Sequence, residues 1–141
     1  HNSIVDKVIA NHKSFGIKRA IKLPVSAPFH CRLMEKAREN MESYIQDLDL
    51  LSPKLILVNN VGAALLTETN KIKDSLIEQI TNTVRWRESI DNMCDLGVDN
   101  FIEIGAGNVL SGLVKRINKT VNSISIQNIE NIENYINILE G

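Results

Sequence analysis

The chain of 141 residues contains few cysteines and no long apolar run, the features that are typical of extracellular and of membrane-spanning proteins. Its two cysteines, Cys31 and Cys94, lie far apart and fit no metal-ligand spacing. So few cysteines argue against a disulfide framework and favour a reducing compartment, so we predict a cytoplasmic location or the equivalent space of an organelle. No apolar run approaches the roughly 18 residues of a membrane span. The mixed polar and apolar residues at the start predict no signal peptide.

An excess of charge of one sign is also missing. The 16 Lys and Arg residues are balanced by 17 Asp and Glu residues, which leaves a net charge of −1 at pH 7. A chain without a basic field has no general attraction for nucleic acid or for an anionic membrane surface. We therefore expect neither a nucleic-acid partner nor a membrane partner.

Helical and strand-like patterns alternate along the chain, and its 43% of hydrophobic residues are enough for one domain with a core. Short apolar segments at 18–25, 55–58, 101–104 and 123–126 predict strands. The longest helical stripe of apolar residues runs over 31–48. This alternation predicts α/β layering with a parallel sheet, and the unbroken apolar run at 55–58 predicts a strand buried on both faces.

His30 lies where a strand-like stretch with two prolines gives way to the helical segment 31–48. A loop at this point exposes the ring, and the positive end of a helix beginning near Cys31 would disfavour the imidazolium form. A ring that is neutral near pH 7 can accept a proton, so His30 is a candidate general base. The alternative is a loop histidine that only bonds a backbone carbonyl, and position alone leaves both interpretations open.

A glycine turn, Gly105-Ala106-Gly107, joins a predicted strand to the helix after it. A strand, a glycine turn and a helix in this order resemble a phosphate-binding loop. Leu110 stands where the dinucleotide pattern needs its third small residue, and no Gly-Lys-Ser/Thr is present. A tight turn is the better interpretation. A non-catalytic α/β module that binds a phosphate-bearing ligand at this turn remains the alternative function.

A small basic cluster is formed by Lys18, Arg19 and Lys22. As the solvated end of a predicted strand, it needs no functional explanation. As a docking patch, it would suit an acidic partner.

The segment LPVSAPFHCRLM at 23–34 resembles the histidine motif of the malonyl-CoA:acyl carrier protein transacylase family. Four further stretches match the family in order and spacing, at 58–61, 79–86, 101–107 and 109–113. The resemblance extends over essentially the whole chain. It implies an α/β fold in which 1–25 form the last helix and strand of a small ferredoxin-like subdomain. Residues 26–141 would form the C-terminal part of a large α/β-hydrolase-like subdomain with parallel strands.

The resemblance also implies the chemistry and the residues that carry it. The family moves a malonyl group from coenzyme A to the phosphopantetheine thiol of acyl carrier protein, for fatty acid biosynthesis, by a Ser-His ping-pong mechanism. His30 matches the general acid/base, and the main-chain carbonyl of Gln79 matches the group that orients it. Phe29 matches a substrate-binding position associated with the choice of extender unit. Lys18, Arg19 and Lys22 become candidates for carrier-protein docking. Malonyl-CoA is a substrate here, and neither a cofactor nor a metal is implied.

The chain departs from the family pattern in what it lacks. It contains no Gly-x-Ser-x-Gly, the turn that exposes a nucleophilic serine. It also lacks the family's oxyanion segment and the arginine that holds the malonyl carboxylate. In the family, all three precede the part that this chain matches. We therefore expect a C-terminal portion that needs the N-terminal part of the same enzyme as a partner and is inactive alone.

Overall fold

The computed structural model describes residues 2–140, and this part of the chain combines helices with short strands, as predicted for an α/β fold. The helices are Asn2–Ala10 (α1), Glu35–Gln46 (α2), Thr69–Glu78 (α3), Trp86–Asp95 (α4), Val109–Ile117 (α5) and Ile129–Glu140 (α6). The strands are Leu57–Val58 (β1), Leu65–Leu66 (β2), Asn100–Ile104 (β3) and Asn122–Ile126 (β4). Short 3-10 turns cover His12–Phe15 and Arg32–Met34.

The predicted parallel arrangement is confirmed in the C-terminal half. β3 pairs in parallel with β4, from Asn100 opposite Asn122 to Ile104 opposite Ile126. Parallel neighbours need a crossover connection, and α5 supplies it and packs against both strands. This β3-α5-β4 unit is the most regular part of the fold.

The strand predicted over 55–58 is shorter and more exposed than expected. Only Leu57–Val58 forms a strand, and it pairs antiparallel with β2 in a hairpin that the sequence pattern did not predict. Leu55 is 83% exposed and Ile56 is 63% exposed, so the prediction of burial on both faces is wrong for this chain. A strand is buried on both faces only when neighbouring elements cover it, and the described residues leave these two side chains uncovered.

The strand predicted over 18–25 is absent from the described residues. The segment has no regular secondary structure and no ladder partner, and Ile21, Leu23 and Val25 are all more than 60% exposed. A β-strand is defined by backbone pairing with a neighbour, so an apolar alternating pattern is not sufficient when no neighbour is present. The ion pair between Lys22 and Asp6, at 2.9 Å, links this segment to α1.

The helix predicted over 31–48 begins later than expected. Cys31 is extended, with φ −149° and ψ 170°, and a 3-10 turn precedes the first residue of α2, Glu35. Arg38 then pairs with Glu35 and, at 3.1 Å, with Glu42 on the next turn. His30 is therefore separated from the start of α2 by a short irregular connection.

The core is small and draws side chains from most of the elements. Ile90 on α4 is fully buried, and it is the largest side chain of the described residues that is. The other buried apolar residues are Ile45, Ala63, Leu66, Ile77, Val114 and Ile126. None of the helices between residues 2 and 140 combines the length and the apolar character needed to cross a bilayer.

Because Ile90 is 0% exposed, we expect Ile90→Ala to lower the free energy of unfolding by about 2–5 kcal/mol, the usual cost of a cavity at a buried isoleucine. Ile104→Ala is the matched control, because Ile104 is 81% exposed; we expect it to change the stability by less than about 0.5 kcal/mol. Urea unfolding followed by circular dichroism measures both. Equal costs would contradict the assignment of the core.

Candidate active site

The imidazole of His30 is held by a backbone carbonyl. Nδ1 lies 2.8 Å from the carbonyl oxygen of Gln79, which is 49 residues further along the chain. A carbonyl only accepts hydrogen bonds, so Nδ1 carries the hydrogen and Nε2 keeps its lone pair when the ring is neutral. The residue is exposed, and the hydrogen bonds within residues 2–140 leave Nε2 without a protein partner. The ring can therefore exchange a proton through Nε2.

The position of Gln79 explains why its carbonyl is available. Gln79 directly follows α3, and its own N–H still donates to the carbonyl of Ser75 at 3.0 Å. The last carbonyls of a helix have no partner within it and lie at its negative end. The ring is thus fixed by the carboxyl end of α3. The sequence pattern alone did not indicate this contact, and the helix that was expected to begin near Cys31 begins at Glu35.

The backbone of His30 was not predictable from the sequence pattern. Its φ is 58°, in the left-handed region that residues with a side chain rarely adopt, although histidine is more tolerant than most. Such a conformation costs roughly 1–3 kcal/mol and persists only where the surroundings hold it. The Cys31 thiol donates to the carbonyl of Pro28 at 3.1 Å and closes the same turn. The prolines indicated a turn, but they did not indicate the sign of φ.

The other predicted site residues differ in their surroundings. Phe29 is 54% exposed, so its ring is open on the surface next to His30 in the chain. Lys18 and Arg19 are exposed as expected for a docking patch. Lys22 is exposed too, but its charge is paired with Asp6. The structure brings His30 and Gln79 together, whereas their catalytic roles and those of the basic cluster remain predictions.

A shallow groove of about 170 Å³ lies between β1 and α3, beside the carbonyl that holds His30. Asn59, Ser75 and Gln79 are among its lining residues. The sequence pattern identified Asn59 only as part of a turn. It gave no signal that the turn and α3 form one surface, because that requires the fold to bring them together.

The glycine turn after β3 is closed by a carboxylate of the chain itself. Glu103 accepts hydrogen bonds from the backbone N–H groups of Leu110 and Ser111, at 3.1 and 2.8 Å, and from the hydroxyl of Ser111. The bonds from Ser111 are the main reason that the pKa of Glu103 lies below its ordinary value. The Gly107 N–H donates to the side chain of Gln127 at 3.0 Å.

This arrangement disfavours the phosphate-binding alternative. A phosphate at a helix N-terminus needs backbone N–H groups that point at it without a competing anion. Here Glu103 already occupies the first N–H groups of α5. Gly105–Gly107 is therefore a tight turn, as the missing third glycine indicated. Residues 2–140 also contain no group of three potential metal ligands among their His, Cys, Asp and Glu side chains.

Comparison with known proteins shows which proteins this chain is similar to. No protein-family model matches the chain. The crystal structure of acyl-carrier-protein S-malonyltransferase from Bartonella henselae superposes with a TM-score of 0.87 at 36% identity, over 97% of this chain and 44% of that one. A malonyl-transacylase solved in complex with a type II polyketide-synthase acyl-carrier protein has a TM-score of 0.87 at 31% identity, over 95% of this chain and 43% of that one. The fold is thus that of part of a malonyl transferase.

A curated protein shows the same similarity at the level of sequence. The malonyl CoA-acyl carrier protein transacylase of Staphylococcus aureus (strain MSSA476) is 41% identical over 130 residues, which are 92% of this chain and 42% of that protein. The resemblance predicted from the histidine motif is therefore confirmed. The chain matches a C-terminal portion of the malonyl CoA-acyl carrier protein transacylases and spans about two fifths of the length of the curated relative.

The hydrogen bonds that Glu103 accepts from Leu110 and Ser111 predict how the stability of the chain changes at acid pH. A carboxyl group whose pKa is lowered on folding adds stability above its unfolded pKa, about 4.3, and this contribution is lost as the pH falls through the lower folded value. We expect Glu103→Gln to be less stable than the wild type at pH 7 and to lose less stability between pH 5 and pH 3. Urea midpoints across this range measure the difference. Glu133→Gln on α6 is the control for removing one negative charge. An equal effect there would contradict the stabilising role of the hydrogen bonds to Glu103.

Proposed function

We propose that this chain supplies the general acid/base of an [acyl-carrier-protein] S-malonyltransferase. The complete enzyme would move a malonyl group from coenzyme A to the phosphopantetheine thiol of acyl carrier protein, for fatty acid biosynthesis. The observation that carries the proposal is the 2.8 Å contact between Nδ1 of His30 and the Gln79 carbonyl, in a chain that resembles the malonyl transacylases over nearly all its length.

Nε2 of His30 would move the protons of both half-reactions. In the first, it takes the proton of a serine hydroxyl supplied by the N-terminal part of the enzyme, and the serine oxygen attacks the malonyl thioester. As the C–S bond breaks, the protonated ring gives the proton to the departing coenzyme A sulfur. In the second, Nε2 takes the proton of the phosphopantetheine thiol, whose sulfur attacks the malonyl ester, and then returns a proton to the serine oxygen.

The carbonyl of Gln79 would take the part that an aspartate plays in a Ser-His-Asp triad. By accepting from Nδ1–H, it fixes the tautomer in which Nε2 is free to react. Because the acceptor is a backbone group, the side chain of residue 79 is not required for this role. The chemistry needs no cofactor, since acyl exchange between two thiols requires only a nucleophile, an acid/base and donors for the oxyanion.

The partner that this activity requires is the N-terminal part of the same enzyme. The relatives are more than twice as long as the chain. Leu51, Leu55, Ile56 and Ile104 are each more than 60% exposed, and so many open aliphatic side chains are expected where a covering segment belongs. We propose that this segment covers them, brings the serine to His30, and is the reason that the chain alone is inactive.

The remaining assignments follow from the same proposal. Phe29, with its exposed ring beside His30, would limit the bulk of the extender unit. A methyl branch in such a pocket is discriminated by only about 1–3 kcal/mol, so the selectivity would be modest. Lys18, Arg19 and Lys22 would attract acidic groups of the carrier protein, and a malonyl-transacylase solved in complex with a type II polyketide-synthase acyl-carrier protein supports this partner. We propose a cytoplasmic location or its equivalent in an organelle.

We expect His30→Ala to lower malonyl transfer by about 10²–10⁴-fold, because the serine then loses its general base. The rate is measured as malonyl transfer from malonyl-CoA to acyl carrier protein, in the enzyme assembled from this chain and the N-terminal part. His12→Ala is the matched control, because His12 also contacts a backbone carbonyl through Nδ1, that of Ile9 at 2.8 Å. Activity of His30→Ala within tenfold of the wild type would refute the role.

We expect Lys18→Glu and Arg19→Glu to raise the KM for acyl carrier protein by about two- to tenfold and to leave the KM for malonyl-CoA nearly unchanged, since a charge at a docking surface acts on encounter with the charged partner. Lys119→Glu, an exposed lysine after α5, controls for the change in net charge. Equal effects on both substrates would count against docking at this cluster.

A further inference from the structure

Asn59, directly after β1, connects two parts of the fold through one side chain. Its Oδ1 accepts from the backbone N–H groups of Gly62 and Ala64, at 3.2 and 2.8 Å. Its Nδ2 donates to the hydroxyl of Ser75 on α3 at 3.0 Å. The turn after β1 and the helix that carries the Gln79 carbonyl are therefore joined by a single amide.

The orientation of this amide is determined by its neighbours. Two backbone N–H groups face one end of the side chain, and only an oxygen can accept from them. The opposite end must then be the NH₂ group, which meets the Ser75 hydroxyl. The reversed orientation would set donor against donor at both Gly62 and Ala64.

Ser75 lies one helical turn before the residue that holds His30. It is 8% exposed, and its carbonyl accepts from the N–H of Gln79 at 3.0 Å. A rigid helical turn thus separates the atom that Asn59 binds from the carbonyl that binds the ring. Core packing of Ile77, which is 5% exposed, supports the same end of the helix, and the bond from Asn59 joins that end to the turn after β1.

We propose that Asn59 is a positioning residue for the acid/base: it fixes the end of α3 through Ser75, so that the Gln79 carbonyl meets Nδ1 of His30. The proposal rests on the function argued above for its catalytic meaning, but the coupling itself belongs to this chain alone. A catalytic group must be held within about 0.5 Å of its productive position, and the resemblance to the family assigned no residue to hold this carbonyl.

The coupling is measurable as the tautomer of the His30 ring in the 141-residue chain. Nitrogen-15 NMR of the imidazole distinguishes Nδ1–H from Nε2–H, and we expect the wild type to favour Nδ1–H. Ser75→Ala removes the acceptor for Nδ2 but keeps both bonds that Asn59 makes within its own turn. We expect the ratio of the Nδ1–H to the Nε2–H form to fall by about two- to tenfold, the range that one net hydrogen bond corresponds to.

Two controls separate positioning from a general loss of structure. Ser89→Ala is the matched variant, because Ser89 is 3% exposed, lies on a helix and contacts the backbone carbonyl of Asn59 at 3.4 Å, but is not part of α3. It should leave the His30 ratio unchanged. His12 provides a reference in the same spectrum, because its Nδ1 contacts a carbonyl within its own segment. Ser75→Cys keeps a weak acceptor at this position, so it serves as the second variant if Ser75→Ala fails to fold. It should lower the ratio of the Nδ1–H to the Nε2–H form of His30, but by less than the loss of the acceptor would.

The proposal is overturned if Ser75→Ala, or Ser75→Cys in its place, leaves the His30 ratio at the wild-type value. It is also overturned if Ser89→Ala changes the ratio as much, because both effects would then come from loosening of the turn. In the assembled enzyme, Ser75→Ala should lower kcat and leave KM nearly unchanged. If His30→Ala retains activity while the tautomer still responds to Ser75→Ala, the proposed function fails and the coupling stands. If His30→Ala loses activity but the tautomer does not respond to Ser75→Ala, the coupling fails and the proposed function stands.

Discussion

The contact between the His30 ring and the Gln79 carbonyl is the constraint on which the site depends. It joins a strained turn, with a positive φ at His30, to the carboxyl end of α3. A carbonyl at that position has no partner within its helix, so it can hold a ring without the burial of a charged group. The same bond determines which ring nitrogen keeps its lone pair. A neutral backbone group therefore orients the His30 ring, whereas a carboxylate orients the histidine of a Ser-His-Asp triad.

The chain uses its other polar side chains mainly to complete turns and helix ends. Glu103 occupies the first N–H groups of α5, and Asn59 fills the turn after β1. Both satisfy backbone donors that would otherwise be unpaired, which is the usual condition for an ordered loop. The bonds to Glu103 also argue against phosphate binding, because the N–H groups at the start of α5 already have an anionic partner within the chain. The physical argument against the phosphate-binding alternative is thus stronger than the missing glycine alone.

The apolar residues of the chain are divided between a small core and an exposed aliphatic surface. Ile90 and the few residues around it form a small core, while aliphatic side chains near β1 and at the end of β3 are open. The relatives are more than twice as long as this chain, and the proposed function assigns that surface to the rest of the enzyme. The segment at 18–25 shows the same effect in the backbone, since its alternating pattern is that of a strand but no described segment pairs with it.

The sequence by itself determined the α/β class, the positions of most helices and of β3 and β4, the parallel arrangement of that pair, and the family resemblance around His30. These depend on the spacing of nearby residues, which determines how a segment coils and which of its faces is apolar. Only the tertiary structure decided the left-handed backbone of His30, the β1–β2 hairpin, the unpaired segment at 18–25 and the connection from Asn59 to Ser75. Each of these depends on groups far apart in the chain, and the spacing of neighbours along a sequence contains no information on which distant groups will meet.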